Sequence, residues 1–153
     1  MKNLERNNFR PSVWEPGLRL GREKDIEYYN TVEACCWTYE KAYKRIHQVL
    51  TMEDSMCLVQ LDSEEHITGY LMGYFKEFDD IRGYFLEEIV IFMGNQGKGY
   101  GTDFLKHLEK VIRENGASIL ELNSVNDEEH KRFYAKAGIL PVSNFVMMSK
   151  FME

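Results

Sequence analysis

Cysteine, long apolar runs and positive charge are all scarce in this chain of 153 residues. Its three cysteines, Cys35, Cys36 and Cys57, include an adjacent pair and do not make a disulfide framework. No run approaches the roughly 18 consecutive apolar residues of a membrane span. The opening stretch "MKNLERNNFRPSVW" has no apolar core of the kind a signal peptide carries. These absences lead to the expectation of a cytoplasmic protein with no membrane association. A formal net charge of -6 argues against a nucleic-acid partner, which would call for a basic face. The histidines, His47, His66, His107 and His130, lie scattered without metal-ligand spacing to the cysteines, so no metal is expected. Linkers, low-complexity tracts and internal repeats are missing too, and the expectation is one domain over residues 1–153.

What the chain does have is ordinary core material, with 44% hydrophobic residues, enough at this length to bury a real core. Acidic pairs such as Glu53-Asp54, Asp79-Asp80 and Glu87-Glu88 read either as solvated turns or as a surface that attracts a cationic partner. Residues 1 to 16 are polar, and "GLRLGRE" suits a short first strand. From Asp25, a plausible N-cap, to Leu50, apolar residues recur every three or four positions, which predicts one long helix or two. Three strands follow, at Cys57 to Leu61, Ile67 to Phe78 and Gly83 to Phe92, the middle one apolar on both faces and therefore central. Phe104, Leu105, Leu108, Val111 and Ile112 mark a helix that Asn115-Gly116 ends. "SILELN" is a strand. "NDEEHKRFYAKAG" is a helix with Asn126 as N-cap, and "NFVMMSKFM" is a closing strand. The predicted class is α/β: a central, mixed, mostly antiparallel twisted sheet flanked by helices.

Between the third strand and the next helix stands "NQGKGYG", with Gly97, Gly99 and Gly101 in five positions. Glycine opens backbone conformations closed to other residues, and a helix start with free N–H groups binds anions. A bound phosphate is the expectation. Two known phosphate motifs fail, however. Gly94 and Gly99 have P-loop spacing, but Tyr100-Gly101 follow in place of Lys-Ser/Thr. Thr102 and Phe104 stand where a dinucleotide fingerprint needs its third glycine.

What remains is Gln96-x-x-Gly99-x-Gly101. Here the chain resembles the GNAT superfamily of N-acetyltransferases, whose acetyl-CoA loop reads Gln/Arg-x-x-Gly-x-Gly/Ala. "FLEEIVIFMGNQGKGYG" is similar to the family's fourth strand and loop, and "SILELNSVNDEEHKRFYAKAGI" to its fifth strand and following helix. The resemblance runs from about residue 56 to the C-terminus. It implies a GNAT-like fold and acetyl-CoA as co-substrate. The pyrophosphate would lie on the backbone of Gln96, Gly97, Lys98, Gly99, Tyr100, Gly101 and Thr102, with Lys98 adding a positive charge. It further implies an oxyanion facing a backbone N–H near Ile91 and Phe92, and a last proton donated by Tyr134. By family habit the protein would be a homodimer. A coenzyme-A-binding regulatory or scaffold protein that has lost catalysis is the alternative.

Acetyl transfer to a primary amine needs that amine deprotonated, and a carboxylate can take the proton. Glu87 and Glu88 are the candidates. Strand alternation would put residues 87, 89 and 91 on one face and 88 on the other. Relatives place a basic carboxylate an even number of positions before the strand residue that corresponds to Ile91, which selects Glu87. A β-bulge would reverse that choice. Tyr134 shares a helix face with His130, Phe133 and Ala137 and could be core instead of acid. Asn123 and Asn126 could hold the pantetheine arm or cap the helix. Tyr28, Tyr29, Trp37, Tyr39 and Tyr43 are core or acceptor pocket. The acceptor, a small-molecule or protein amine, is not legible.

Overall fold

The computed structural model describes residues 18 to 21 and 39 to 153. The expectations placed on Asp25, Tyr28, Tyr29, Trp37 and residues 1 to 16 lie outside the described residues. The chain divides after Asn123 into two compact units.

The first unit is built on a five-stranded sheet in simple sequential order. Its strands are β1 (Leu18–Leu20), β2 (Leu58–Leu61), β3 (Ile67–Glu77), β4 (Arg82–Ile91) and β5 (Ile119–Leu122). Neighbours from β1 to β4 pair antiparallel, and β4 pairs with β5 in parallel. The sheet is therefore mixed and mostly antiparallel, as expected. β3 lies in the middle, and Ile67 to Gly73 are buried without a break, because both faces of a central strand are covered. The Asp62 carboxylate, accepting from the backbone N–H of Glu64 and His66, closes the β2–β3 turn.

Helix α1 (Tyr39–Leu50) covers one face. Its Ile46 and Val49 join Cys57, Val59, Tyr70, Met72 and Phe92 in a core cluster. The cysteine thiol there is inert, because burial pushes its pKa up to about 12. Helix α2 (Tyr100–Glu114) packs against β3 and β4 through Phe104, Leu105, Leu108, Val111 and Ile112, all buried. Each of these side chains contributes about 1.5–3 kcal/mol by leaving water. The helix ends where Asn115 and Gly116 suggest. Gly116, at φ 86°, is in the left-handed region. Among the described residues no helix is long and apolar enough to cross a membrane.

The second unit holds α3 (Glu128–Ala135) and an irregular tail. Two expectations are corrected here. The N-cap of α3 is Asp127 and not Asn126: its carboxylate accepts from the His130 backbone N–H at 2.8 Å and touches that residue's imidazole Nδ1. A carboxylate at a helix start also faces the positive end of the dipole, and an amide has no such advantage. These contacts hold the Asp127 carboxyl below its usual range. The segment "NFVMMSKFM" is not a strand. Phe145, Val146, Met147 and Met148 are exposed, and the backbone there forms no strand pairing with the described residues. A β pattern in sequence becomes a strand only where a partner satisfies its N–H and C=O groups.

Candidate functional site

The glycine loop connects the end of β4 to α2. A 3₁₀ turn at Met93–Asn95 starts it, closed by the Asn95 N–H donating to the Phe92 carbonyl at 2.7 Å. The Gln96 side chain then reaches back and donates to the Ile91 carbonyl at 2.9 Å. Gly97 and Gly99 follow at φ 72° and 85°, the left-handed region where a side chain is strained. Gly99 is the N-cap of α2 and offers the helix no side-chain cap. The N–H groups of Tyr100, Gly101 and Thr102 precede the first intrahelical bond, from Asp103 to Gly99 at 3.1 Å. The three glycines thus have two jobs. Gly97 and Gly99 turn the chain, and Gly101 is buried in the first helical turn. Nothing described stands within 4 Å of where a Cβ would be on Gly94, Gly97 or Gly99, so an anion could approach that backbone. Lys98 is exposed on the same loop.

Ladder geometry sorts Ile91 from Phe92. The Phe92 N–H donates to the Thr68 carbonyl at 3.0 Å, which takes it out of the role of oxyanion donor. Antiparallel partners alternate between bonded and non-bonded pairs. Since Gly69 and Ile91 are the next partners, the main-chain groups of Ile91 turn away from β3, as do those of Ile89. The bond from Gln96 to the Ile91 carbonyl confirms that direction. On that side β5 pairs with β4 only as far as Leu86 with Leu122. The Ile89 and Ile91 amides therefore lie beyond the β4–β5 ladder. Asn123, the residue after β5, is exposed.

Alternation in β4 breaks at the two glutamates. Met72 opposes Glu88 but Gly73 opposes Leu86, so Glu87 is one residue too many for its partner strand. This is a β-bulge, and it turns both carboxylates to the α1 face. The exclusion of Glu88 by parity is thereby overturned. Arg45 of α1 lies 3.5 Å from Glu88 and 3.8 Å from Glu87. Burial raises the Glu88 pKa, Arg45 opposes that rise, and the charge of Glu87 adds to it. Tyr74 lies close by on β3; its hydroxyl is pushed up by burial and then by the charge of Glu87. The Tyr74 and Phe85 rings meet at 5.6 Å with a tilt of 33°, and on α1 Tyr43 stacks on His47 at 5.6 Å. Sequence patterning could not place Arg45 here. Only the bulge and the α1 packing bring it to both acids.

Tyr134 lies on α3 in the second unit, half-buried, edge-to-face with Phe133 at 4.9 Å. No residue of α3 is buried, so the face shared with His130, Phe133 and Ala137 is not a closed core. Among the described residues no group of three His, Cys, Asp or Glu side chains could hold a metal ion.

The sheet is mixed, its fourth and fifth strands run parallel, and a glycine loop opens the helix between them. Residues 22–139 match the Acetyltransferase (GNAT) family, and the chain belongs to that family. Solved structures agree on the fold. A GNAT family acetyltransferase from Staphylococcus aureus superposes with a TM-score of 0.65 at 20% identity, over 88% of this chain and 97% of that one. Glucosamine-6-phosphate N-acetyltransferase from Arabidopsis thaliana gives 0.65 at 18%, over 89% and 97%. A transcriptional regulator from Bacillus halodurans gives 0.69 at 18%, over 87% and 98%. No curated protein matches the chain.

Proposed function

We propose that the protein is an acetyl-CoA-dependent N-acetyltransferase that moves the acetyl group to a primary amine by direct attack in a ternary complex. The observation that carries this reading is the uncapped start of α2 behind Gly97 and Gly99, beside the end of β4. The backbone N–H groups from Gln96 to Thr102, with Lys98, suit a pyrophosphate. Asn123 is assigned to the pantetheine arm. Acetyl-CoA supplies an activated acyl group on a good leaving thiolate.

The chain's own groups divide the remaining work. Glu88, with its raised pKa and Arg45 beside it, accepts the ammonium proton; Glu87 holds the cationic amine near it. A carboxyl raised toward the working pH is a better matched base than an ordinary one. The Ile91 N–H faces the developing oxyanion. Tyr134, assigned through the resemblance of "FYAKAG" to the family pattern, returns a proton to the leaving thiolate. The proposal includes the cytoplasmic setting expected from the sequence and the homodimer expected from family habit.

Thiol release from acetyl-CoA across a panel of polyamines, amino acids, aminoglycosides and peptide amines tests the reading, with calorimetry for coenzyme A alongside. Turnover on at least one amine is expected. Tight coenzyme A binding with no turnover on any amine would favour the regulatory or scaffold alternative, and no binding would defeat both.

A further inference from the structure

Strand β2 reads Leu58, Val59, Gln60, Leu61, and Gln60 is only 4% exposed. A buried amide in an apolar strand is costly unless it is bonded on both sides. This one is. Its Nε2 donates 3.0 Å to the Tyr100 carbonyl in the first turn of α2. Its Oε1 accepts 3.0 Å from the hydroxyl of Thr68, which is fully buried.

Thr68 sits at a second irregularity of the sheet. Gln60 opposes Gly69 but Leu61 opposes Ile67, so Thr68 is the extra residue on β3. Its carbonyl accepts the Phe92 N–H at 3.0 Å. A continuous chain of bonds thus runs from Phe92 through Thr68 and Gln60 to Tyr100. Phe92 and Tyr100 are the two stems of the glycine loop. The backbone crossing is tight: a Cβ on Gly69 would come 2.9 Å from the Val90 carbonyl and 3.6 Å from the Gln60 Oε1. Glycine is what lets the bulge close against β4.

We propose that Gln60 and Thr68 are positioning residues that clamp both stems of the glycine loop and so hold its backbone N–H groups ready for an anion. The span between the stems, residues 93 to 99, contains three glycines, the residue that restricts its own backbone least. An anion cradle made of main-chain donors works only if those donors are fixed before the ligand arrives. The clamp fixes them from below without touching the ligand. Its effect on coenzyme A rests on the function proposed above; its effect on the loop does not.

The experiment pairs hydrogen exchange with binding and kinetics on the full chain, using Gln60→Met, Thr68→Val, Thr68→Ser and the Gln60→Met/Thr68→Val double variant. Methionine keeps length and flexibility while removing the amide. The Asn95 and Asp103 amides, whose bonds to the Phe92 and Gly99 carbonyls close the two ends of the loop, should exchange about tenfold faster in Gln60→Met and Thr68→Val, with those of β3 and the second half of α2 unchanged. The Kd for coenzyme A and the KM for acetyl-CoA should rise about tenfold, with kcat within about threefold. The double variant should be no worse than either single, since both break one chain, and Thr68→Ser should restore wild-type values. Unchanged loop exchange and unchanged Kd overturn the proposal. So do additive losses with faster exchange throughout the sheet, which describe a core defect. If the loop amides respond but the wild type binds no coenzyme A, the clamp stands and the acetyltransferase reading falls.

Discussion

Glu87 and Glu88 are sequence neighbours in a strand, yet both carboxylates lie against Arg45, at 3.8 and 3.5 Å. A regular strand cannot do this, because adjacent side chains point to opposite faces. The bulge opposite Met72 makes it possible. Two acids with one shared guanidinium form an unequal pair, with Glu88 raised by burial and by its neighbour's charge.

That inequality sets the pH dependence of turnover. With Glu88 as proton acceptor, kcat/KM should rise with pH through a carboxyl that titrates above its ordinary value of 4.5. Glu88→Gln should lower kcat by roughly 10²-fold or more and abolish that limb, leaving only the rise that tracks neutral amine. Glu87→Gln should keep the limb, moved to lower pH by loss of the adjacent negative charge, and raise the KM for the amine. pH–rate profiles of both variants decide it; a limb lost with Glu87 and kept without Glu88 reverses the assignment.

The same carboxyl makes a stability prediction. Because its folded pKa lies above its unfolded one, the folded state binds the extra proton between the two values. Stability contributed by protonated Glu88 is full below about 4.5 and is lost as pH rises through the folded pKa. Glu88→Gln removes this loss. Thermal melts should show the variant matching wild type in acid and exceeding it at neutral pH. A Tm difference that stays constant from about pH 4 to pH 7 would contradict the linkage.

How far the sequence could lead is clear from these residues. The helix stripe from Phe104 to Ile112 and the central strand were legible because burial on one or both faces leaves a period in the apolar residues. The loop was legible because Gly97 and Gly99 meet a backbone demand that glycine meets best. The bulges at Glu87 and Thr68 were not legible, since an extra residue changes pairing without leaving a composition signal. Arg45 and Gln60 were missed for a related reason: Glu88 lies 43 positions from Arg45, and Tyr100 lies 40 positions from Gln60. The closing strand expected at "NFVMMSKFM" failed because apolar content does not by itself provide a hydrogen-bonding partner. The cap moved from Asn126 to Asp127 because two good cappers stand side by side and only geometry chooses between them.

Tyr134 offers a cleaner test than its position does. Tyr134→Phe keeps the ring and its edge-to-face contact with Phe133 while removing the hydroxyl. If that hydroxyl protonates the leaving thiolate, kcat should fall by roughly 10²–10⁴-fold with the KM for acetyl-CoA little changed. The loss should shrink with an acyl donor whose thiol is more acidic, because a better leaving group needs less help. Wild-type turnover in Tyr134→Phe would remove the residue from the mechanism.

The glycines of the loop differ in what they contribute, and substitution should separate them. At Gly99, φ 85° places any side chain in strain while leaving open space around the Cβ. Gly99→Ala should therefore rotate the α2 start and misdirect the N–H groups of Tyr100, Gly101 and Thr102, without crowding the core. The Kd for coenzyme A should rise at least tenfold, about 1.4 kcal/mol. Gly99→Asn should recover part of that affinity, since asparagine tolerates the left-handed region better than alanine. Gly116 serves as the control. It has the same sign of φ, 86°, at the other end of the same helix, so Gly116→Ala should lower Tm and leave the Kd alone. Calorimetry and thermal melts on the three variants give the readout. Equal affinity in Gly99→Ala and wild type would show that the loop backbone does not bind the ligand, whatever the helix start looks like.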